Sequence, residues 1–329
     1  MTGSEIIAAG QRMPALAEDD LLAAFADFLR LDVAQGDASP ETLRTYWGQV
    51  RQYLTWCAAE GVHPALATED DLKAYRAHLV GRYARSTVAT KLAAVRRLYD
   101  AAQARGYRPD NPAAGLHAPA DRTARGERVK WLPLLALQRL LEAPSPHTLR
   151  GKRDRAILAL MALHGLRVAE VAGLRIGDLD LEAGTLAVTG KGRKARSVLL
   201  VERTAGLLRA WLEVRGAVAR ADCAALFVSL HHPDAGTPMD RRAIRYLVDG
   251  YLARLGLKRE GVSCHALRHS FATLSRAAGA RLDAISRALG HSSVTTTQVY
   301  ADIVDAAAEN PARFLVGALA EMGGATASE

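Results

Sequence analysis

Apolar positions at Leu21, Leu22, Phe25, Phe28 and Leu29 fall three or four residues apart, a helical period that breaks over residues 35–40, Gln-Gly-Asp-Ala-Ser-Pro. Ser39 is placed to cap a second helix with Pro40 at its first position, and the stripe Tyr46, Val50, Tyr53, Leu54 carries it to Gly61. Thr68 opens a third, with Glu69, Asp70 and Asp71 in the first turn, where the helix dipole favours acid. A fourth, from Ser86, buries Val88, Leu92, Val95 and Tyr99 and ends by Gly106. Four helices therefore precede any strand. The stretch 108–128 is rich in Pro, Gly, Ala and charge without an apolar period, and reads as a linker.

The pattern beyond it is mixed. Residues 131–141 and 153–163 are helical, and His164-Gly165 closes the second run. Gly165 as a left-handed cap turns the chain into a new helix with Arg167 in its first turn. From Asp178 the period becomes alternating: 185–189 and 196–201 predict two strands joined by the turn 190–195. Residues 205–219 are helical again, 226–228 a short strand, and 240–255 a helix with Ile244, Leu247, Val248 and Tyr251 inward. Ser263 is a candidate cap for a helix whose one face carries Leu267, Phe271, Leu274 and Ala278, and whose other face carries His265, Arg268 and His269. Gly279 ends that helix. Leu282, Ile285 and Leu289 then lead to Gly290, which presents His291 on a turn nine residues before Tyr300. The opening 1–17 lacks a strong period and reads as a tail, while 310–329 holds a short apolar helix after Pro311 that packs in its own subunit or on a neighbour. The predicted division is tail 1–17, helical domain 18–107, linker 108–128, α+β domain 129–309 and tail 310–329.

Charge adds a partner class. The 329 residues carry a formal charge of +8 and a pI near 9.6, which favours a polyanion. Residues 1–126 hold 15 basic and 15 acidic side chains, so the excess lies in the remainder, 28 against 20. Within the first part, Lys73 to Arg108 has nine basic residues and only Asp100 against them, a stretch that faces either a nucleic acid backbone or water. Thr87, Thr90, Lys91 and Arg97 on the fourth helix suit phosphate contact or plain solvent alike. The turn between the strands, with Lys191, Arg193 and Lys194, makes a cationic finger and lacks the spacing of a nucleotide-binding P-loop. Cys57, Cys223 and Cys264 are odd in number and far apart, which argues against a disulfide framework. With no apolar run of membrane-spanning length and no signal pattern, the expected location is the cytoplasm, away from any membrane.

Two chemical readings compete around 263–300. His265 and His269 have the i, i+4 spacing of the H-E-x-x-H zinc motif, but the Glu is missing and Arg268 would set a permanent cation beside the metal. Arg167 at a helix start stacks cation on dipole, which suits a bound anion; pairing to Glu170 one turn on is the plain alternative.

With H-G-L-R-V-A-E-V-A-G-L-R at 164–175, T-G-K-G-R-K-A-R at 189–196, H-A-L-R-H-S-F-A-T at 265–273 and L-G-H-S-S-V-T-T-T-Q-V-Y at 289–300, the chain resembles the tyrosine recombinases, or phage-integrase family, most closely its Xer-like members. The resemblance implies a mainly α fold with a small β-sheet: an N-terminal four-helix core-binding, SAM-like domain and an α+β catalytic domain. Cys264 stands where relatives often have Pro. It implies, too, that Tyr300 is the nucleophile, forming a 3′-phosphotyrosyl link and releasing a 5′-hydroxyl. Arg167 and Arg268 would clamp the non-bridging oxygens, and His291 would add a phosphate hydrogen bond. His265 would donate to the phosphate or assist Tyr300 as base, Lys191 would protonate the departing oxygen, and Glu170 would orient the site; His269 is left as structural. Such groups suit attack on a phosphodiester with no metal, cofactor or ATP. The implied partner is double-stranded DNA, bound by a homotetramer on two sites or a heterotetramer with a second recombinase. A type IB topoisomerase and a DNA-binding protein with an idle site are the rival readings.

Overall fold

The computed structural model describes residues 6–8, 11–13, 18–120, 129–190, 195–291 and 295–308. The chain divides into two compact units, residues 1–122 and 123–329.

In the first unit the opening stretch contains a small hairpin, β1 (Ile6–Ala8) against β2 (Gln11–Met13), where no period predicts one. Four helices follow: α1 (Glu18–Leu31), α2 (Pro40–Glu60), α3 (Glu69–Val80) and α4 (Arg85–Ala104). Their starts obey the expected chemistry. Ser39 Oγ accepts from the Thr42 amide at 3.2 Å, and Thr68 and Asp71 form a reciprocal capping box. α4 begins instead at Arg85 behind Ala84, with no side-chain cap. Phe25, Tyr53, Tyr75, Leu92 and Tyr99 fill the core; the Tyr53 and Tyr99 phenols are satisfied, meeting each other at 2.6 Å while Tyr99 donates to the Pro64 carbonyl at 2.8 Å, and the Tyr75 hydroxyl is buried without a partner among the described residues. The stretch after α4 is packed against this unit as far as residue 118: Ala113 and Leu116 are buried in its core, and Asn111 Nδ2 bonds Asp100 at 2.7 Å.

The second unit is built on α6 (Leu149–Leu163), preceded by α5 (Leu134–Glu142) and followed by the short α7 (Val168–Gly173). Residues 156–162 are buried at every position, so α6 is a central helix covered on all sides. It starts one turn before its apolar run, because Thr148 Oγ1 caps the Gly151 amide at 3.0 Å. The sheet is antiparallel in the order β3 (Leu179–Asp180), β4 (Thr185–Thr189), β5 (Ala195–Leu199), with Leu186 opposite Val198. β3 is too short to show a period. Residues 226–228 form no ladder; Ala225 and Val228 make isolated bridges to Arg175 and Pro238, which corrects the strand expected there.

After α8 (Glu202–Arg215) and α9 (Arg241–Arg254), three helices carry the remaining motifs: α10 (Cys264–Ala277), α11 (Leu282–Leu289) and α12 (Thr295–Ala308). They share a small apolar cluster, Ala272, Ile285, Leu289, Val299 and Tyr300, separate from the main core. Gly165, at φ +65, has the predicted left-handed conformation, and a Cβ there would lie 2.7 Å from both Leu289 and Phe271 side chains. The glycine thus turns the chain and also lets α11 and α10 come close.

Candidate active site

Arg167 is the N-cap residue of α7 and pairs with Glu170, the plainer of its two sequence readings. Its amide donates to Glu170 Oε2 at 2.8 Å and its Nη1 to Glu170 Oε1 at 2.9 Å. The same Nη1 reaches the Leu289 carbonyl at 3.4 Å. Arg268 arrives from α10 at the same carbonyl: Nη2 donates to Leu289 O at 2.7 Å, and Nη1 to Gly165 O at 2.6 Å. Arg268 is only 5% exposed, whereas on the same face of α10 His265 is exposed and His269 half-buried. Ser263 stands at the N-cap as predicted, but its side chain makes no cap hydrogen bond.

At the end of α11, Gly290 adopts the left-handed conformation and the His291 amide bonds back to Ser286 O at 3.1 Å, fixing the turn. His291 Nδ1 pairs with the Thr297 hydroxyl at 2.9 Å. Tyr300, on α12, is 2% exposed, and its hydroxyl lies 2.8 Å from His269 Nδ1. The residue read as structural is thus the one touching the phenol.

The electrostatics are those of buried cations and neutral imidazoles. Burial lowers Arg268 to about 10, helped by Arg167, which still leaves it charged near neutrality. Burial also pushes His269 down to about 4, with His265 and Arg268 adding to the effect, and His291 to about 4, with Arg268 and Arg167 adding. His265 is lowered by burial, then by Arg268 and Arg167. For Tyr300 burial raises the phenol, against the pull of Arg268 and Arg167. Glu170 would be raised by burial, but hydrogen bonds from Arg196 and the Arg167 amide outweigh that and hold it low. Among the described residues no group of His, Cys, Asp and Glu is placed to hold a metal.

Arg167, Glu170, Arg268, His291 and Tyr300 therefore converge, with His265 within the field of both arginines. Sequence reasoning missed Arg196, whose guanidinium forks onto Glu170 from β5. Lys191, Arg193 and Lys194 lie outside the described residues, as does the tail from 310. On α4, Thr87, Thr90 and Arg97 are exposed, with Arg97 paired to Asp100 at 3.3 Å. Lys91 departs from that group and is corrected here. It is 3% exposed, its Nζ donates to Gln49 at 3.0 Å and to Gln52, and it lies 4.4 Å from the Tyr83 ring centroid. A side chain so engaged inside the bundle is not displayed for phosphate.

The histidines set a pH dependence. His164, buried against Thr204, is also held down to about 4 by burial. Unfolded histidine takes its proton near 6.5, about the value these folded groups fall below. Between about 6.5 and about 4 the unfolded chain binds protons that the folded protein refuses, so stability falls as pH drops through this window. Urea unfolding is expected to show a lower midpoint at about pH 5 than at about pH 7.5.

A phenol beside two guanidiniums and imidazoles, on a helical unit joined to an α+β unit, is an arrangement suited to phosphoryl transfer. Residues 130–306 match the phage integrase family, and residues 23–106 match the phage integrase N-terminal SAM-like domain. Tyrosine recombinase XerD of Xanthomonas campestris pv. campestris is 38% identical over 300 residues, 88% of this chain and 90% of the relative. Tyrosine recombinase XerC of Pelobacter propionicus is 35% identical over 269 residues, 80% of this chain and 85% of the relative. The XerH recombinase bound to palindromic difH substrate in a post-cleavage complex shares the fold at a TM-score of 0.71 and 22% identity, over 91% of this chain and 84% of that one. A lambda integrase dimer bound to a COC' core site does so at 0.66 and 16%, over 86% and 77%. The chain belongs to the phage integrase family, the tyrosine recombinases.

Proposed function

We propose that this recombinase cleaves and rejoins duplex DNA at specific sites through a 3′-phosphotyrosyl intermediate, without metal or ATP. The observation that carries the reading is the convergence of Arg167 and Arg268 on the Leu289 carbonyl, with both cations within electrostatic reach of the Tyr300 phenol. Tyr300 Oη attacks phosphorus, the bond from phosphorus to the 5′ oxygen breaks, and Lys191 supplies that oxygen's proton. The phenol's own proton is lost as the bond forms, with His269 Nδ1, already within hydrogen-bond reach, as its nearest acceptor. Arg167 and Arg268 stabilise charge on the non-bridging oxygens, His291 and His265 add hydrogen bonds to the phosphate, and Glu170 orients Arg167. The covalent link conserves the phosphodiester energy, so a 5′-hydroxyl from a second duplex can reverse the step and exchange strands. Thr87, Thr90 and Arg97 of α4, with Arg193 and Lys194, are proposed DNA contacts. Four protomers on two sites, alike or paired with a second recombinase, act in the cytoplasm. Among the described residues no helix is long and apolar enough to cross a membrane.

A nicked duplex from which the freed fragment diffuses away is expected to trap protein covalently on DNA, equally with and without EDTA. Absence of any covalent product sinks the enzymatic reading, and loss to EDTA sinks the metal-free one. Exchange between two sites on one plasmid, against relaxation alone, separates a recombinase from a topoisomerase.

A further inference from the structure

Glu170 poses an electrostatic problem that Arg167 alone does not solve. Its side chain is 3% exposed, and a buried carboxylate needs compensating charge and filled lone pairs. If Arg167 were the only counter-charge, the clamp's cation would be neutralised by its own support. Arg196 supplies the second cation. Its Nη1 and Nη2 fork onto Glu170 Oε1 and Oε2 at 2.9 and 3.1 Å, so the carboxylate receives four hydrogen bonds from two arginines. Two guanidiniums against one carboxylate leave a net positive charge, and Arg167 is the outward member, with a side chain 34% exposed against 16% for Arg196. Among the described residues Arg167 makes its side-chain bonds through Nη1, leaving Nε and Nη2 for an anion.

The third nitrogen of Arg196 goes elsewhere. Nε donates to the Ala288 carbonyl at 3.2 Å, joining β5 to the end of α11. Gly290, which turns the chain toward His291, also makes room for this guanidinium: a Cβ there would meet Arg196 Nη1 at 3.1 Å. All three nitrogens are engaged within the protein, so Arg196 is not a phosphate ligand. We propose that Arg196 is a positioning residue of the phosphate clamp, acting through Glu170 on Arg167 and through Ala288 on the turn that presents His291. This rests on the recombinase reading above.

The test uses the full chain and a nicked duplex built on genomic sequence recovered from covalent protein–DNA complexes. Two versions carry a phosphodiester or an uncharged methylphosphonate at the scissile position. Arg196→Ala is expected to slow covalent capture on the phosphodiester by about 10- to 100-fold, the usual cost of losing a partner that orients a directly acting group. On the neutral linkage, which lacks the charge Arg167 must offset, the defect is expected to shrink toward wild type. Comparing both linkages on one preparation cancels any inactive fraction. Arg196→Lys keeps the charge but not the fork, so only partial recovery is expected. In a Glu170→Ala background, Arg196→Ala is expected to add little. Equal slowing on both linkages, or none on the phosphodiester, overturns the proposal. Failure of the wild type to capture any DNA is a separate result and overturns the recombinase reading itself.

Discussion

Tyr300→Phe yields no covalent complex with a nicked duplex that traps the wild-type protein, while non-covalent DNA binding persists. The ring is retained, so the cluster of Ala272, Ile285, Leu289 and Val299 stays filled. What disappears is the hydroxyl and its bond to His269 Nδ1. A neutral hydrogen bond of that kind contributes about 1 kcal/mol, so folding survives while the nucleophile is lost. Denaturing gels of the trapped product measure the first effect, and a mobility shift on intact duplex measures the second. Trapping that survives in Tyr300→Phe removes Tyr300 from the mechanism.

Arg268→Ala is the other severe change, and it acts twice. As a preorganised donor to developing negative charge, its loss is expected to cost about a hundred- to a thousand-fold in rate. As a buried structural cation it satisfies the Gly165 carbonyl, which left without that donor costs about 1–3 kcal/mol, and it is the nearer of two arginine donors to the Leu289 carbonyl. A lower unfolding midpoint should therefore accompany the rate loss. Arg268→Lys separates the two, because one ammonium keeps the charge but does not span both carbonyls. A variant with wild-type cleavage rate contradicts the placement of Arg268 in the clamp.

The parts legible in the sequence were those written by local chemistry. Ser39 and Thr68 as caps, Gly165 and Gly290 as left-handed turns, and strand 185–189 all depend on neighbours within a few residues. The convergence of Arg167, Arg268, His291 and Tyr300 was legible through motif order, since periodicity could place each on an element but not beside the others. What was not legible depends on contacts across elements. Lys91 sits one residue from the exposed Thr90, and its partners Gln49 and Gln52 lie on α2, about forty positions away. Arg196 belongs to an alternating strand whose pattern says only in or out, and its meeting with Glu170 spans 26 positions. His269 shares a helix with His265, so spacing alone could not say which of them meets the phenol. β3, two residues long, is shorter than any period.

The small apolar cluster that seats Tyr300 has a further consequence. Cooperative units of a fold open with free energies that follow the apolar surface they bury, and this unit is bounded by five buried side chains set apart from the main core. Hydrogen exchange of the α12 amides is therefore expected to report a lower opening free energy than exchange in α6, whose residues 156–162 are all buried.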